Sequence, residues 1–153
     1  MHEKYMRECI RLGYEAMLLG NAPVGSILVY EDHIISSATE ASRTTGDVTD
    51  HAEIIAIRKG LSFLTPQQLQ SAVLYSTHEP CVMCAYAIRH YGIGTVVYGK
   101  PVPFAGGDTS NYNLLHDREH PRWNEPPGII KGILQDECDK LSVAYEQHKE
   151  KKR

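Results

Sequence analysis

The chain has no long apolar run, so no part of it could span a bilayer. Its first residues, Met1 to Arg11, are polar and charged and lack the apolar core of a secretion signal. Cysteine is scarce: four in 153 residues is too few for the disulfide framework of a small secreted domain. That usage fits a reducing compartment, and cytoplasm is the expected location. Excess positive charge is also missing. The net charge is −3, and Lys149-Glu150-Lys151-Lys152-Arg153 alone contributes +3, which leaves −6 on the remainder. Any basic patch is thus largely confined to a tail that reads as a solvated helix end, and the body does not look like a nucleic-acid binder. There is no internal repeat and no low-complexity segment. Hydrophobic content of 42% and charged content of 23% are ordinary for a globular protein. The length suits one domain, residues 1–153, with little room for a second.

What the chain does have is His51-Ala52-Glu53, followed downstream by Pro80-Cys81-Val82-Met83-Cys84. Cys81 and Cys84 stand at i and i+3, which puts both sulfurs on one face of a helix. Pro80 suits the first turn, where its missing N–H costs nothing. The unpaired N–H groups at such a helix start favour thiolates. His51 supplies a third ligand from the start of another helix, expected over residues 50–64. Three protein ligands leave zinc a fourth position for water, the arrangement of a catalytic site. Glu53, two residues past His51, is poorly placed to bind the same ion and is free to shuttle protons. H-x-E…P-C-x-x-C is a known signature of zinc deaminases, so the expected reaction is hydrolytic removal of an amino group from a heterocycle. The competing reading is a structural zinc, or reduced cysteines without metal. A structural ribbon usually brings a second C-x-x-C pair, which is absent here. A fourth protein ligand from His78, His90, Cys9 or Cys138 would close the site.

Along the chain, Met6, Cys9, Ile10, Gly13, Ala16 and Met17 recur at helical steps, and Gly20-Asn21 ends that helix. Residues 24–30 and 34–39 read as a hairpin, and residues 40–47 as a loop. A third strand is expected over 72–77, a helix over 81–91 and a fourth strand over 95–98. A Pro- and Gly-rich connection covers 100–127, then a last strand over 129–133 and a closing helix over 134–149. Strands alternating with helices imply a central sheet covered on both faces.

The chain resembles the cytidine deaminase-like superfamily, in the branch that holds tRNA adenosine deaminases, guanine deaminases and fungal-type cytosine deaminases. The similarity rests on Ala22-Pro23-Val24-Gly25, His51-Ala52-Glu53-Ile54, Glu79-Pro80-Cys81-Val82-Met83-Cys84-Ala85, Val96-Val97-Tyr98-Gly99 and the stretch from Gly132 to Cys138. It implies a three-layer α/β/α sandwich with a central, mostly parallel five-stranded mixed sheet. It also implies one Zn²⁺ per subunit held by His51, Cys81 and Cys84, with Glu53 as catalytic proton shuttle, and a homodimer. Candidate substrate contacts are Glu40, Val24, Ala52, His78, Glu79 and Pro80.

Three departures fall where substrate is read. Relatives carry Asn eleven residues before the zinc histidine, where this chain has Glu40. Asp47-Val48-Thr49-Asp50 replaces Asp-Pro-Thr-Ala, and Lys100-Pro101-Val102-Pro103-Phe104 replaces a Gly-rich loop bearing Arg, Asp and Lys. Ionised glutamate only accepts hydrogen bonds, so Glu40 favours a ring with an additional N–H or amino group; otherwise it is simply exposed. His116-Asp117 with His120 reads as a surface loop rather than a second metal site. Phe104 and Trp123 either close over a flat ring or anchor the long loop, and Tyr86 alters packing or a dimer contact. The leading expectation is a deaminase of a small amino-substituted nucleobase, nucleoside or related heterocycle. The alternatives are a tRNA-specific adenosine deaminase, converting wobble adenosine to inosine, and a zinc-stabilised binding protein without turnover.

Overall fold

Alternation along three strands builds the molecule. In the strand Gly25–Tyr30 (β1), Ile27 and Val29 face one side of the sheet and Leu28 the other. Leu74 and Tyr75 divide in the same way on Val73–His78 (β3), as do Val96 and Val97 on Thr95–Lys100 (β4). Both faces are therefore apolar and both need cover. The computed structural model describes residues 1–152; Arg153, the end of the basic tail, lies outside them. On one face the helices His2–Leu18 (α1) and Gln135–Lys151 (α6) bury Met6, Cys9, Cys138 and Leu141 against Ile27, Tyr75 and Val97. On the other, Ala52–Gly60 (α3) and Val82–Tyr91 (α5) bury Ala56, Ile57, Ala85 and Ile88 against Leu28, Leu74 and Val96. The result is the expected three-layer sandwich.

With His33–Thr39 as β2 and Gly128–Lys131 as β5, the strand order is β2-β1-β3-β4-β5. β1 pairs antiparallel with β2 and β3, whereas β3–β4 and β4–β5 are parallel. Four strands thus share one direction and β1 alone runs against them. The hairpin turns through Glu31 and Asp32, both at positive φ (47° and 61°), as a two-residue turn between right-twisted strands requires. Gly25 has no tolerance for a side chain, since a Cβ there would lie 2.1 Å from the Cys9 carbonyl oxygen.

This topology gathers chain ends. The ends of β2, β3 and β4 and the beginning of β1 lie at one edge of the sheet, because Gly25 pairs with Thr39, Ser26 with Ser76 and His78 with Lys100. A crevice outside strand carboxyl ends is where open α/β sheets place ligands. The N-termini of α3 and α5 open on the same edge through their caps, His51 and Cys81.

Differences from expectation are local. The His51 helix stops at Gly60 rather than residue 64, and Gly60 sits so close to the sheet that a Cβ would meet Leu28 Cδ2 at 2.4 Å. Two short helices were not expected, Ser42–Thr45 (α2) and Pro66–Leu69 (α4). The connection after β4 contains only a 3-10 turn at Leu114–His116. Among the described residues no helix is long and apolar enough to cross a membrane.

Candidate active site

His51 and Cys81 occupy helix N-cap positions usually taken by Ser, Thr, Asp or Asn, yet neither side chain caps its helix. Both turn instead toward Cys84, on the first turn of α5. Cys81 Sγ lies 3.5 Å from His51 Nδ1, Cys84 Sγ lies 3.6 Å from that nitrogen, and the two sulfurs are 3.7 Å apart. A tetrahedral zinc at ordinary bond lengths sets sulfur–nitrogen separations of about 3.6 Å and sulfur–sulfur separations of about 3.8 Å. The triangle fits zinc. Among the described residues it is the one group of three candidate ligands close enough to share an ion. His78, His90, Cys9 and Cys138 supply no fourth ligand: Cys9 and Cys138 are buried in the α1/α6 layer, and His90 stacks on Tyr86. The set is therefore three-membered, and the closed structural site is not formed.

Protons are unequally shared in this triad. The thiol of Cys84 and the ring of His51 hold the Cys81 thiol down at about 4, while the Cys81 sulfur and burial push Cys84 well up. His51 rises to about 9, chiefly through its hydrogen bond with Cys81. A metal entering here would displace the Cys84 proton and one from the His51 ring, and the start of α5 favours the two thiolates.

The cleft beside the triad has a volume of about 330 Å³. Its lining includes His51, Glu53 and Cys81 together with Val24, Glu40, His78 and Glu79. Glu53 is 3% exposed, and burial pushes its carboxyl up to about 8, with the Cys81 sulfur and Glu40 adding to the rise. Glu40 is not simply exposed. It is 4% exposed, and its Oε2 accepts from the Ser42 N–H (3.1 Å) and hydroxyl (2.5 Å).

Two expected contacts do not line the cleft. Ala52 is wholly buried at the start of α3, and Pro80 is turned away, its carbonyl accepting from the Gly107 N–H at 2.8 Å. Glu79 lines the cleft but its carboxylate is committed elsewhere. It accepts from the N–H groups of Val102, Asp108 and Thr109 at 2.8, 2.8 and 2.7 Å, and from the Thr109 hydroxyl at 2.6 Å. Sequence reasoning missed that role, as it missed Ala22, Ser42, Val102 and Ala105 in the lining. No spacing signal announces a glutamate that receives a loop 23 to 30 residues downstream. Gly106 leaves room for that carboxylate, since a Cβ would stand 2.0 Å from it. Glu79→Gln is expected to cost about 2–3 kcal/mol, because an amide turns N–H groups onto N–H groups. Hydrogen exchange at Val102, Asp108 and Thr109 should accelerate while α1 and α6 stay protected.

Phe104 is 81% exposed and overhangs the cleft, so it does not anchor the loop. Trp123 does: it stacks on His120 at 4.2 Å, meets Tyr86 edge-on, and lies 4.9 Å below the Arg89 guanidinium. The His116, Asp117, His120 group is not a metal site. His116 pairs with Asp108, and Asp117 accepts from the Glu119 and His120 N–H groups.

His78 shows how the cleft depends on pH. Burial, aided by Lys100, pushes its pKa down to about 4. Its Nδ1 lies 2.9 Å from the Thr77 hydroxyl and its Nε2 lies 3.4 Å from Ser142 Oγ. An unfolded chain protonates His78 near 6.5, whereas the folded one resists to about 4. Stability contributed by neutral His78 is thus complete above about 6.5 and falls as pH drops toward 4, by up to about 3 kcal/mol. Urea midpoints measured between those limits should fall less steeply for His78→Gln than for the wild type.

Comparison with known proteins agrees with this geometry. The model of the cytidine and deoxycytidylate deaminase zinc-binding region matches residues 1–100, which include all four motif residues. The tRNA-specific adenosine deaminase of Haemophilus influenzae is 36% identical over 99% of this chain and 87% of that protein. The corresponding protein of Bacillus subtilis is 32% identical over 99% and 92%. A solved structure from work on A-to-I editing by tRNA:A34 deaminases superposes with a TM-score of 0.81 at 30% identity, covering 90% of this chain and 98% of that one. Guanine deaminase from Nitrosomonas europaea shares the fold, with a TM-score of 0.73 at 19% identity over 95% and 84%.

Proposed function

The chain belongs to the cytidine and deoxycytidylate deaminase zinc-binding family, and from that membership we propose that this hydrolytic, zinc-dependent deaminase converts adenosine to inosine in a transfer RNA. The ligand triangle and Glu53 in one cleft support the deaminase chemistry; similarity along the whole chain to tRNA-specific adenosine deaminases supports the substrate. That similarity reverses the order expected from the sequence, where a small ring came first. The reading without turnover falls, since the family is one of deaminases and the proton-carrying acid is in place.

In this proposal His51, Cys81 and Cys84 hold the zinc, which supplies a Lewis acid able to make water nucleophilic near neutral pH. Glu53 would carry a proton from the attacking water to the ring nitrogen beside the carbon under attack, and then carry the proton of the newly added hydroxyl to the departing amine. Water enters, the C–N bond to the amine breaks, and ammonia leaves. A carboxyl held near 8 can give and take protons at neutral pH. A homodimer belongs to the same proposal, supported by an apolar groove of about 420 Å³ between α3 and α5 that exposes Tyr86 and Tyr91.

One observation favours a small amino-heterocycle instead. Glu40 brings a buried carboxylate to the cleft, and Ser42 engages only one of its oxygens. The ring nitrogens of adenine are acceptors, which an ionised carboxylate does not satisfy; an aminopurine, isocytosine or aminotriazine ring offers it N–H groups. The test compares inosine formation in an anticodon stem-loop with ammonia release from such rings, for wild type and Glu40→Asn. On the tRNA reading the wild type acts on the stem-loop. Activity confined to N–H-bearing rings, lost in Glu40→Asn, would transfer the assignment to the small ring, and unchanged selectivity in the variant would remove Glu40 from it.

A further inference from the structure

Beyond α2 from the cleft lies a second concavity, of about 500 Å³, lined by Arg43, His148, Lys149 and Lys152 around Tyr145. Among the described residues no carboxylate side chain lines it. Arg43 donates to the Tyr145 hydroxyl at 2.8 Å, and the Lys149 ammonium stands 4.6 Å over the same ring while pairing with Glu146 at 2.9 Å. Among the described residues Arg43 and Lys152 form no ion pair, and His148 Nε2 is buried without a hydrogen-bond partner. The chain is acidic overall, so a cluster that keeps two of its cations out of ion pairs among the described residues stands out.

We propose that this concavity binds a phosphate group of the same substrate molecule whose base enters the cleft. It rests on the deaminase reading above and extends it to the substrate's backbone. The placement carries it. Glu40 and Ser42 face the cleft, while Arg43 and Thr44, the next residues, line the basic concavity, so α2 is the partition between the two. Asn21 fixes that partition, accepting from the Thr44 N–H at 3.1 Å and donating to its hydroxyl at 3.3 Å. A helix is about 10 Å across, a separation that a nucleotide can span between base and backbone. A guanidinium fork with two flexible ammonium groups suits phosphate oxygens. Lys149 and Lys152 are then part of a site rather than only a solvated helix end.

The experiment uses the zinc-loaded full chain and an Arg43→Gln/Lys149→Gln/Lys152→Gln variant, with an anticodon stem-loop, adenosine 5′-monophosphate and adenosine as probes. The variant should bind the stem-loop with a salt slope shallower by about 1–2 and turn it over with KM raised about tenfold or more. Its turnover of any phosphate-free substrate that the wild type accepts should be unchanged. If the wild type ignores the stem-loop but takes the monophosphate, and the variant raises that KM, the phosphate site stands and the tRNA reading falls. Equal salt slopes and equal KM for wild type and variant on the phosphate-bearing probes would overturn the site, as would wild-type binding of those probes no tighter than of adenosine.

Discussion

Glu53→Gln is expected to lower kcat by about 10²–10⁴-fold while zinc content remains one per chain. The amide keeps the size and most of the packing of a side chain that is 3% exposed, so the fold should persist. What it loses is the ability to accept a proton from water and return it to the ring and the amine. Since Glu53 sits two residues past His51 and is not one of the three grouped ligand atoms, metal binding should not follow activity down. Folded, zinc-loaded Glu53→Gln with wild-type turnover would remove Glu53 from the chemistry. Loss of zinc in that variant would make it a ligand instead.

Cys84→Ser has the second large expected effect. Cys84 is fully buried, and its sulfur closes both the 3.6 Å and the 3.7 Å edges of the triangle. A hydroxyl there is neither thiolate nor long enough to replace it. Zinc stoichiometry should fall from one per chain to near zero, with turnover lost in parallel. The wild type should be stabilised by about 4 kcal/mol when free zinc is about a thousand times its Kd, and that increment should vanish in the variant. Thermal unfolding with and without a chelator separates the two proteins: the wild-type Tm should drop on chelation and the Cys84→Ser Tm should not move. A chelator-sensitive Tm in the variant would mean that the metal is held elsewhere.

The parts of the site that were legible in the sequence are those fixed by short-range geometry. Cys81 and Cys84 fall on one turn, His51 begins a helix, and Glu53 follows it at two residues, so their meeting needed only the two helix starts to share an edge of the sheet. Strand alternation likewise revealed both apolar faces, because Leu28 and Val29, or Val96 and Val97, must point oppositely. Harder to read were features made by distant chain ends. Glu79 looked like part of the motif, yet its carboxylate is spent on N–H groups of the segment after β4. Nothing local to Ala52 or Pro80 indicates that they are turned away from the cleft, whereas Phe104, within a loop of no regular structure, overhangs it. One miss was avoidable: Thr65-Pro66-Gln67-Gln68 is a capping-box pattern with proline at the first helical position, and α4 forms there with both reciprocal hydrogen bonds. The burial of Glu40 was open in the sequence because its loop could slip in register. The structure fixes it through the hydrogen bond from the Glu40 N–H to the Val24 carbonyl.

The most direct test measures inosine and ammonia together after incubating zinc-loaded protein with an anticodon stem-loop carrying adenosine at the wobble position. Equal amounts of the two products, absent with Glu53→Gln, are the predicted result. A zinc-replete, folded wild type that releases no ammonia from the stem-loop, and none from any amino-heterocycle tried beside it, would contradict the account.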